Sequence, residues 1–209
     1  MKKIILPGAL CLILVLLNSC LTTLHPIFTE KDLVFDPRLV GKWSNTEDAS
    51  TATYRLTHAN ELKSLSTALQ RNASRIYMLE ERDAQGKLKS KQYAFMVKLG
   101  TYYYMDFYPV GLKENGVQDE FFATHFVPMH SIYRIRFKNT HSFDIQQLDA
   151  KYLETLIKNK KIRIKHEVTE DGGYVITAPT EELQKYIVKY SDIPEAYSGD
   201  NSSSYNKIN

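Results

Sequence analysis

The stretch Gln92-Tyr93-Ala94-Phe95-Met96-Val97-Lys98-Leu99-Gly100-Thr101-Tyr102-Tyr103-Tyr104-Met105-Asp106-Phe107-Tyr108 decides the fold. Tyr93, Phe95, Val97 and Leu99 fall on one face of a period-two pattern and Gln92, Met96 and Lys98 on the other, which is the mark of a β-strand. Gly100 supplies a tight turn. Beyond it Tyr103, Met105 and Phe107 point one way, and Tyr102, Tyr104, Asp106 and Tyr108 the other. A strand rich in large side chains on both faces is covered on both, or lines a cavity.

Outward from this hairpin the same alternation recurs. Ala52, Tyr54 and Leu56 alternate with threonines and Arg55, and Tyr77 and Leu79 are set against Ile76 and Met78. Asp83-Ala84-Gln85-Gly86 reads as a hairpin turn. Downstream, Ser131 to Lys138 carries Tyr133, Ile135 and Phe137 on its inward face, and Phe143 to Leu148 follows. Asp149 is suited to cap a helix over Ala150 to Lys158, with Tyr152, Leu153, Leu156 and Ile157 on one side. Ile162 to Val168 and Tyr174 to Ala178 read as strands around Asp171-Gly172-Gly173. Thr180 is expected to cap a last helix, with Leu183, Tyr186, Ile187 and Tyr190 on its apolar side. The fold class expected is mainly β. About nine or ten short strands form an antiparallel meander closed into a barrel, with one helix inserted late and one at the C-terminal end.

The N-terminus reads as an address. Met1-Lys2-Lys3 precedes an uncharged apolar run from Ile4 to Leu17, closed by Asn18-Ser19-Cys20, which is the pattern of a secretory signal. The run is shorter than the roughly 20 residues a bilayer core requires. Leu17-Asn18-Ser19-Cys20 resembles the lipobox of bacterial lipoproteins, which implies cleavage before Cys20 and acylation of that cysteine. Two or three acyl chains anchor a protein stably. Residue 21 is Leu, and the resemblance then favours the outer membrane of a Gram-negative cell. The organisation expected is a signal peptide over 1–19, an acylated cysteine and tether over 20–36, a barrel domain over 37–193, and a flexible tail of Ser, Asn and Gly over 194–209; Leu24, Ile27, Phe28, Leu33 and Phe35 are more apolar residues than a free linker carries, so part of the tether is expected to pack on the domain.

Removing the signal leaves about 190 residues, enough for one domain with a sizeable core. The formal charge of +3 includes Lys2 and Lys3, so the exported chain is close to neutral. A scattered, near-neutral charge does not suit nucleic acid. Cys11 leaves with the signal and Cys20 is the acylation site, so stability must come from packing and not from disulfides. The 14 Tyr and 9 Phe against 9 Gly fit a β-rich body.

Gly41-Lys42-Trp43 opens the first strand after a short turn in which Asp36 caps and Pro37 takes the first position. It is similar to the Gly-x-Trp of lipocalins and lipocalin-like bacterial domains. That resemblance implies that Gly41 and Trp43 close one end of the barrel, the Trp packing on a basic residue from a later strand. Leu39 to Trp43, Pro128-Met129-His130-Ser131 and Thr180 to Tyr190 also look like a group of lipoproteins of Gram-negative bacteria to which no activity is attached.

No constellation points to catalysis. His125, His130, His141 and His166 with Asp106 are the candidates for metal ligands, but their spacing matches no metal signature, so no metal or other cofactor is expected. Ser131 lacks a nucleophile elbow. Glu80-Glu81 are adjacent and face opposite ways in extended chain, reading as a solvated strand end. The candidate ligand cavity is the aromatic set Tyr93, Phe95, Tyr102, Tyr103, Tyr104, Phe107 and Tyr133, whose alternative role is simply to fill the core. The function expected is that of a non-enzymatic, lipid-anchored envelope lipoprotein binding a small apolar molecule or lipid. Its partners are membrane lipid through Cys20 and that ligand. The alternative is an assembly accessory of the outer membrane, acting through contacts with another envelope protein.

Overall fold

The computed structural model describes residues 21–47, 51–59, 62, 65–111, 125–170, 172–197 and 202–209. Cys20, and most of Phe121 to Val127, where the sequence also suggests a strand, lie outside these residues.

In chain order the strands are β1 (Thr22–Thr23), β2 (Gly41–Asn45), β3 (Thr53–His58), β4 (Ile76–Arg82), β5 (Leu88–Leu99), β6 (Tyr102–Pro109), β7 (His130–Asn139), β8 (Ser142–Gln147), β9 (His166–Val168), β10 (Tyr174–Ile176) and β11 (Ser202–Ile208). The helices are α1 (Thr67–Gln70), α2 (Ala150–Lys158) and α3 (Thr180–Lys189). Strands β2 to β8 form an antiparallel meander, each hydrogen-bonded to the next. The chain then leaves the barrel for α2, β9, β10 and α3. It returns as β11, which slots antiparallel between β8 and β2. The result is a closed eight-stranded antiparallel barrel of the lipocalin-like kind: the antiparallel barrel is as expected, but it holds eight strands and not nine or ten, because β10 pairs with β1 and β9 with β10 outside it and β11 takes the closing place. Closure removes the open edges that an eight-stranded sheet would otherwise present.

Turn chemistry explains the hairpins. Gly86 and Gly100 take left-handed φ values of 78° and 59°, which side-chain-bearing residues rarely adopt. Asp83 receives the amide of Gly86 on its carbonyl and those of Gln85 and Lys87 on its carboxylate. Asp149 caps α2 by accepting the amide of Tyr152. The cap of α3 differs from expectation. Pro179 occupies that position, and the Thr180 hydroxyl donates to the Pro26 carbonyl instead, tying the helix to the N-terminal segment.

Two cores lie on opposite sides of one wall. Inside the barrel Leu39, Trp43, Leu56, Tyr77, Met96, Met105, Ile135 and Phe143 pack together. On the outer face, Ile76, Met78, Tyr93, Phe95, Val97, Tyr104 and Ile132 pack against Ile27 and Phe28 and against the apolar sides of α2 and α3. The hairpin β5–β6 is therefore covered on both faces.

The expected packing of part of the tether extends along most of it: Leu21, Ile27, Phe28 and Leu33 are buried, and β1 pairs with both β7 and β10. Their apolar side chains bury against the outer wall, which outweighs the entropy of a loose linker. The tail is a correction: among its described residues Ser202–Ile208 is not flexible chain but the strand that closes the barrel. Its polar sequence hides a strand whose backbone finds ladders on both sides, so the pairing and not the side chains decides.

Candidate functional site

Period-two alternation sends one residue in two of every barrel strand into the lumen. At one end the lumen is sealed. The chain crosses it through Phe35, the turn Pro37–Leu39 and the start of β2. Asp36 caps this turn by accepting the Arg38 amide, and the Arg38 guanidinium grips the same carboxylate at 2.5 to 3.0 Å. That hydrogen bond holds the Asp36 carboxyl below the usual carboxylate range. The Tyr77 hydroxyl donates to the Asp36 carbonyl at 3.0 Å, and burial pushes its pKa well up.

Trp43 completes the seal. It is 1% exposed, donates its indole N–H to the Leu39 carbonyl at 2.8 Å and meets Phe143 edge-on at 4.6 Å. The Lys207 ammonium of β11 sits 5.3 Å from its ring and hydrogen-bonds the Arg38 carbonyl. This is the plug implied by Gly-x-Trp, with Lys207 as the basic partner. The glycine has its own reason. Gly41 has φ 146°, and a Cβ there would stand 2.4 Å from Lys207 Cε.

Above the plug is a cavity of about 210 Å³. All eight barrel strands contribute to its wall: Trp43, Tyr54 and Leu56, Leu79 and Glu81, Ser90 and Gln92, Met105 and Phe107, Ser131, Tyr133 and Ile135, Phe143 and Ile145, and Tyr205. Exposure grades along the lumen. Trp43, Leu56, Met105, Ile135 and Phe143 are buried, whereas Tyr54, Glu81, Ser90, Gln92, Phe107, Ser131, Tyr133 and Tyr205 are half-buried, so the cavity opens at the end away from the plug. Its floor is apolar and its rim polar. Such an arrangement orients a ligand with an apolar body and a polar head.

Of the aromatic residues expected to line a cavity, Phe107 and Tyr133 do, meeting edge-on at 5.5 Å. Tyr103 faces the lumen near the sealed end, against Phe137. The other four belong to the outer wall. Tyr93 and Phe95 are in the outer core, Phe95 stacking on Phe28 at 4.4 Å. The Tyr104 hydroxyl meets that of Tyr197 at 3.0 Å, and Tyr102 donates to Asp192. They fall outside because they share the register of Ile132 and Asp106, opposite to Met105. The Arg134 guanidinium binds the Ser191 carbonyl and lies 3.6 Å over the Tyr197 ring, fastening the segment after α3 to the same wall.

The site residues not expected from sequence are Leu39, Tyr54, Glu81, Ser90, Gln92, Ser131 and Tyr205. Glu81 is the correction that matters chemically. It is not a solvated strand end: it follows Tyr77 and Leu79 on the inward face of β4 and accepts a hydrogen bond from Ser90 at 2.9 Å. The same alternation that reveals the strand carries that signal.

The histidines do not converge. His141 is exposed beside Thr140, and His166 Nδ1 contacts the Ile164 carbonyl. Among the described residues no group of three His, Cys, Asp or Glu side chains comes together as a metal site. His130 lies in the outer wall, its Nδ1 2.6 Å from Asp106 Oδ1. Asp106 is wholly buried and also accepts the Ile27 amide at 2.9 Å. Burial pushes its carboxyl above the ordinary range, against the opposing pull of His130. The pair clamps the N-terminal segment to the barrel.

Comparison with known proteins returns no matching family, curated sequence or solved structure.

Proposed function

We propose that this chain is a lipid-anchored protein of the bacterial cell envelope whose barrel binds a small ligand with an apolar body, without catalysing a reaction on it. The single observation that carries the reading is the cavity, plugged by Trp43 at one end and open past Glu81, Ser131 and Tyr133 at the other. An engineered apolar cavity of about 150 Å³ already accepts benzene. A lumen of about 210 Å³ has room for a molecule of that order.

The anchor and the opening would be neighbours. Thr22 of β1 pairs with Ser131, a residue of the rim, so acyl chains on Cys20 would hold the opening close to a lipid surface. The outer membrane is the compartment the signal sequence favours.

The test is native against denaturing mass spectrometry, with metal analysis, on the protein taken from its own envelope. A reproducible extra mass that leaves on denaturation, and an acyl mass on the peptide that begins at Cys20, are the expected results. A bare protein would favour the second reading, an assembly accessory working through protein contacts. Leu24, Phe126 and Val127, exposed by 39%, 39% and 59%, are among the exposed apolar side chains that reading would draw on.

A further inference from the structure

Among the described residues that line the cavity, one is charged. Every other group lining the cavity is apolar or neutral, but Glu81 stands at the rim with its carboxylate turned inward. Among the described residues no lysine or arginine pairs with it, and its hydrogen bond comes from the neutral Ser90 hydroxyl. Two nearby basic groups are held elsewhere. Arg82 points to the outer face and binds Glu80, while Lys207 lies at the sealed end over Trp43, held by the Arg38 carbonyl.

Half-buried carboxylates are normally matched by a cation, since a lone charge in a poorly hydrated site is costly. Around this one the walls are aromatic. Tyr54, Phe107, Tyr133 and Tyr205 present rings to the same space, and the faces of such rings attract organic cations. A carboxylate within an aromatic enclosure is complementary to an ammonium group and repels a carboxylate or phosphate.

We propose that the barrel selects an organic ammonium: a positively charged amine carried on a small apolar group. The apolar part occupies the floor between Leu56, Met105 and Phe143, and the ammonium pairs with Glu81 at the rim. This rests on the reading of the barrel as a binding site and adds the sign of its ligand. The cavity is sized for about one ring and not for a full acyl chain.

The test is calorimetric titration of the full-length chain, exchanged into nanodiscs of phosphatidylglycerol, which carries no ammonium of its own. Three probes of one size differ only in the head: 2-phenylethylamine, 2-phenylethanol and phenylacetate. The amine should bind about tenfold or more tightly than the alcohol, and the acid should bind most weakly. In Glu81→Gln the amine's advantage over the alcohol should vanish while the alcohol's affinity is kept, which also shows that the variant folds. Equal binding of amine and alcohol, or preference for the acid, would overturn the ammonium proposal and leave the binding barrel standing. Failure of all three probes would overturn both. Adding phosphatidylethanolamine identifies the source: competition with the amine supports a lipid headgroup as the ammonium, and its absence supports a free amine.

Discussion

Tyr103 and Tyr104 are neighbours in sequence and belong to different regions of the molecule. Tyr103, Met105 and Phe107 look into the barrel, where packing is complete at the plug and stops short of the rim. Tyr104 and Asp106 look outward into a core that is filled by Ile27, Phe28 and the segments around α2 and α3. One wall thus separates a face built for cohesion from a face built for access. Aromatic content alone does not distinguish a pocket from a core; register does.

The largest effects should come from the filled face and the plug. Phe95→Ala on the outer side and Trp43→Ala at the plug should each cost about 3–5 kcal/mol in denaturant unfolding, as truncated buried aromatics do. His130→Ala should cost a similar amount, about 3–5 kcal/mol, because it leaves the buried Asp106 carboxylate without its partner. It should also raise hydrogen exchange at Ile27, whose amide that carboxylate holds. Gly41→Ala comes next. Its left-handed φ makes it strained by about 1–3 kcal/mol, and Lys207 must swing off Trp43 to admit the new methyl, which would show as a shift in tryptophan emission.

The rim should respond in the opposite way. Phe107→Ala removes a half-buried ring and should cost about 1 kcal/mol of stability, yet weaken ligand binding more than Phe95→Ala does. Equal stability losses at Phe95 and Phe107 would erase the distinction between the two faces. The smallest effect is one of pH. Burial pushes the Asp144 carboxyl up, but hydrogen bonds from Lys138, Ser204 and Arg136 outweigh it and hold it below the ordinary value. A lowered folded pKa means stability present in full above the unfolded value of about 3.9 and lost as pH falls through the folded one. The seam between β8 and β11, which Ser204 and Asp144 span, should loosen in that window, and Asp144→Asn should remove this dependence from the acid limb of a melting curve.

Much of the fold was legible because strands announce themselves by alternation. Gly41 and Trp43 were legible only through the resemblance to Gly-x-Trp; the structure adds the physical reasons, a φ of 146° at the glycine and an indole that donates to the Leu39 carbonyl. β11 was not, because Ser202-Ser203-Ser204 carries no apolar pattern and is a strand only through its ladder with β8, before Tyr205 to Ile208 reaches β2; both partners are far away in sequence. For the N-terminal segment the apolar content of Ile27 and Phe28 signals packing, but not where: they have no period of their own, and their burial depends on a surface that exists once the barrel has closed. Of the candidate cavity, Phe107 and Tyr133 followed from the inward register. Tyr93, Phe95 and Tyr104 did not, since which face of a two-sided strand is the lumen depends on how the sheet curls.

Trp43 is the chain's single tryptophan and lies on the cavity wall, so its emission reports directly on whether the lumen can be occupied. Titration with bromobenzene, a small apolar quencher, should give saturable quenching with one site per chain, lost when the plug is removed by unfolding. Quenching that rises linearly without saturation, equal to that of the unfolded protein, would contradict a barrel with an open, ligand-sized interior.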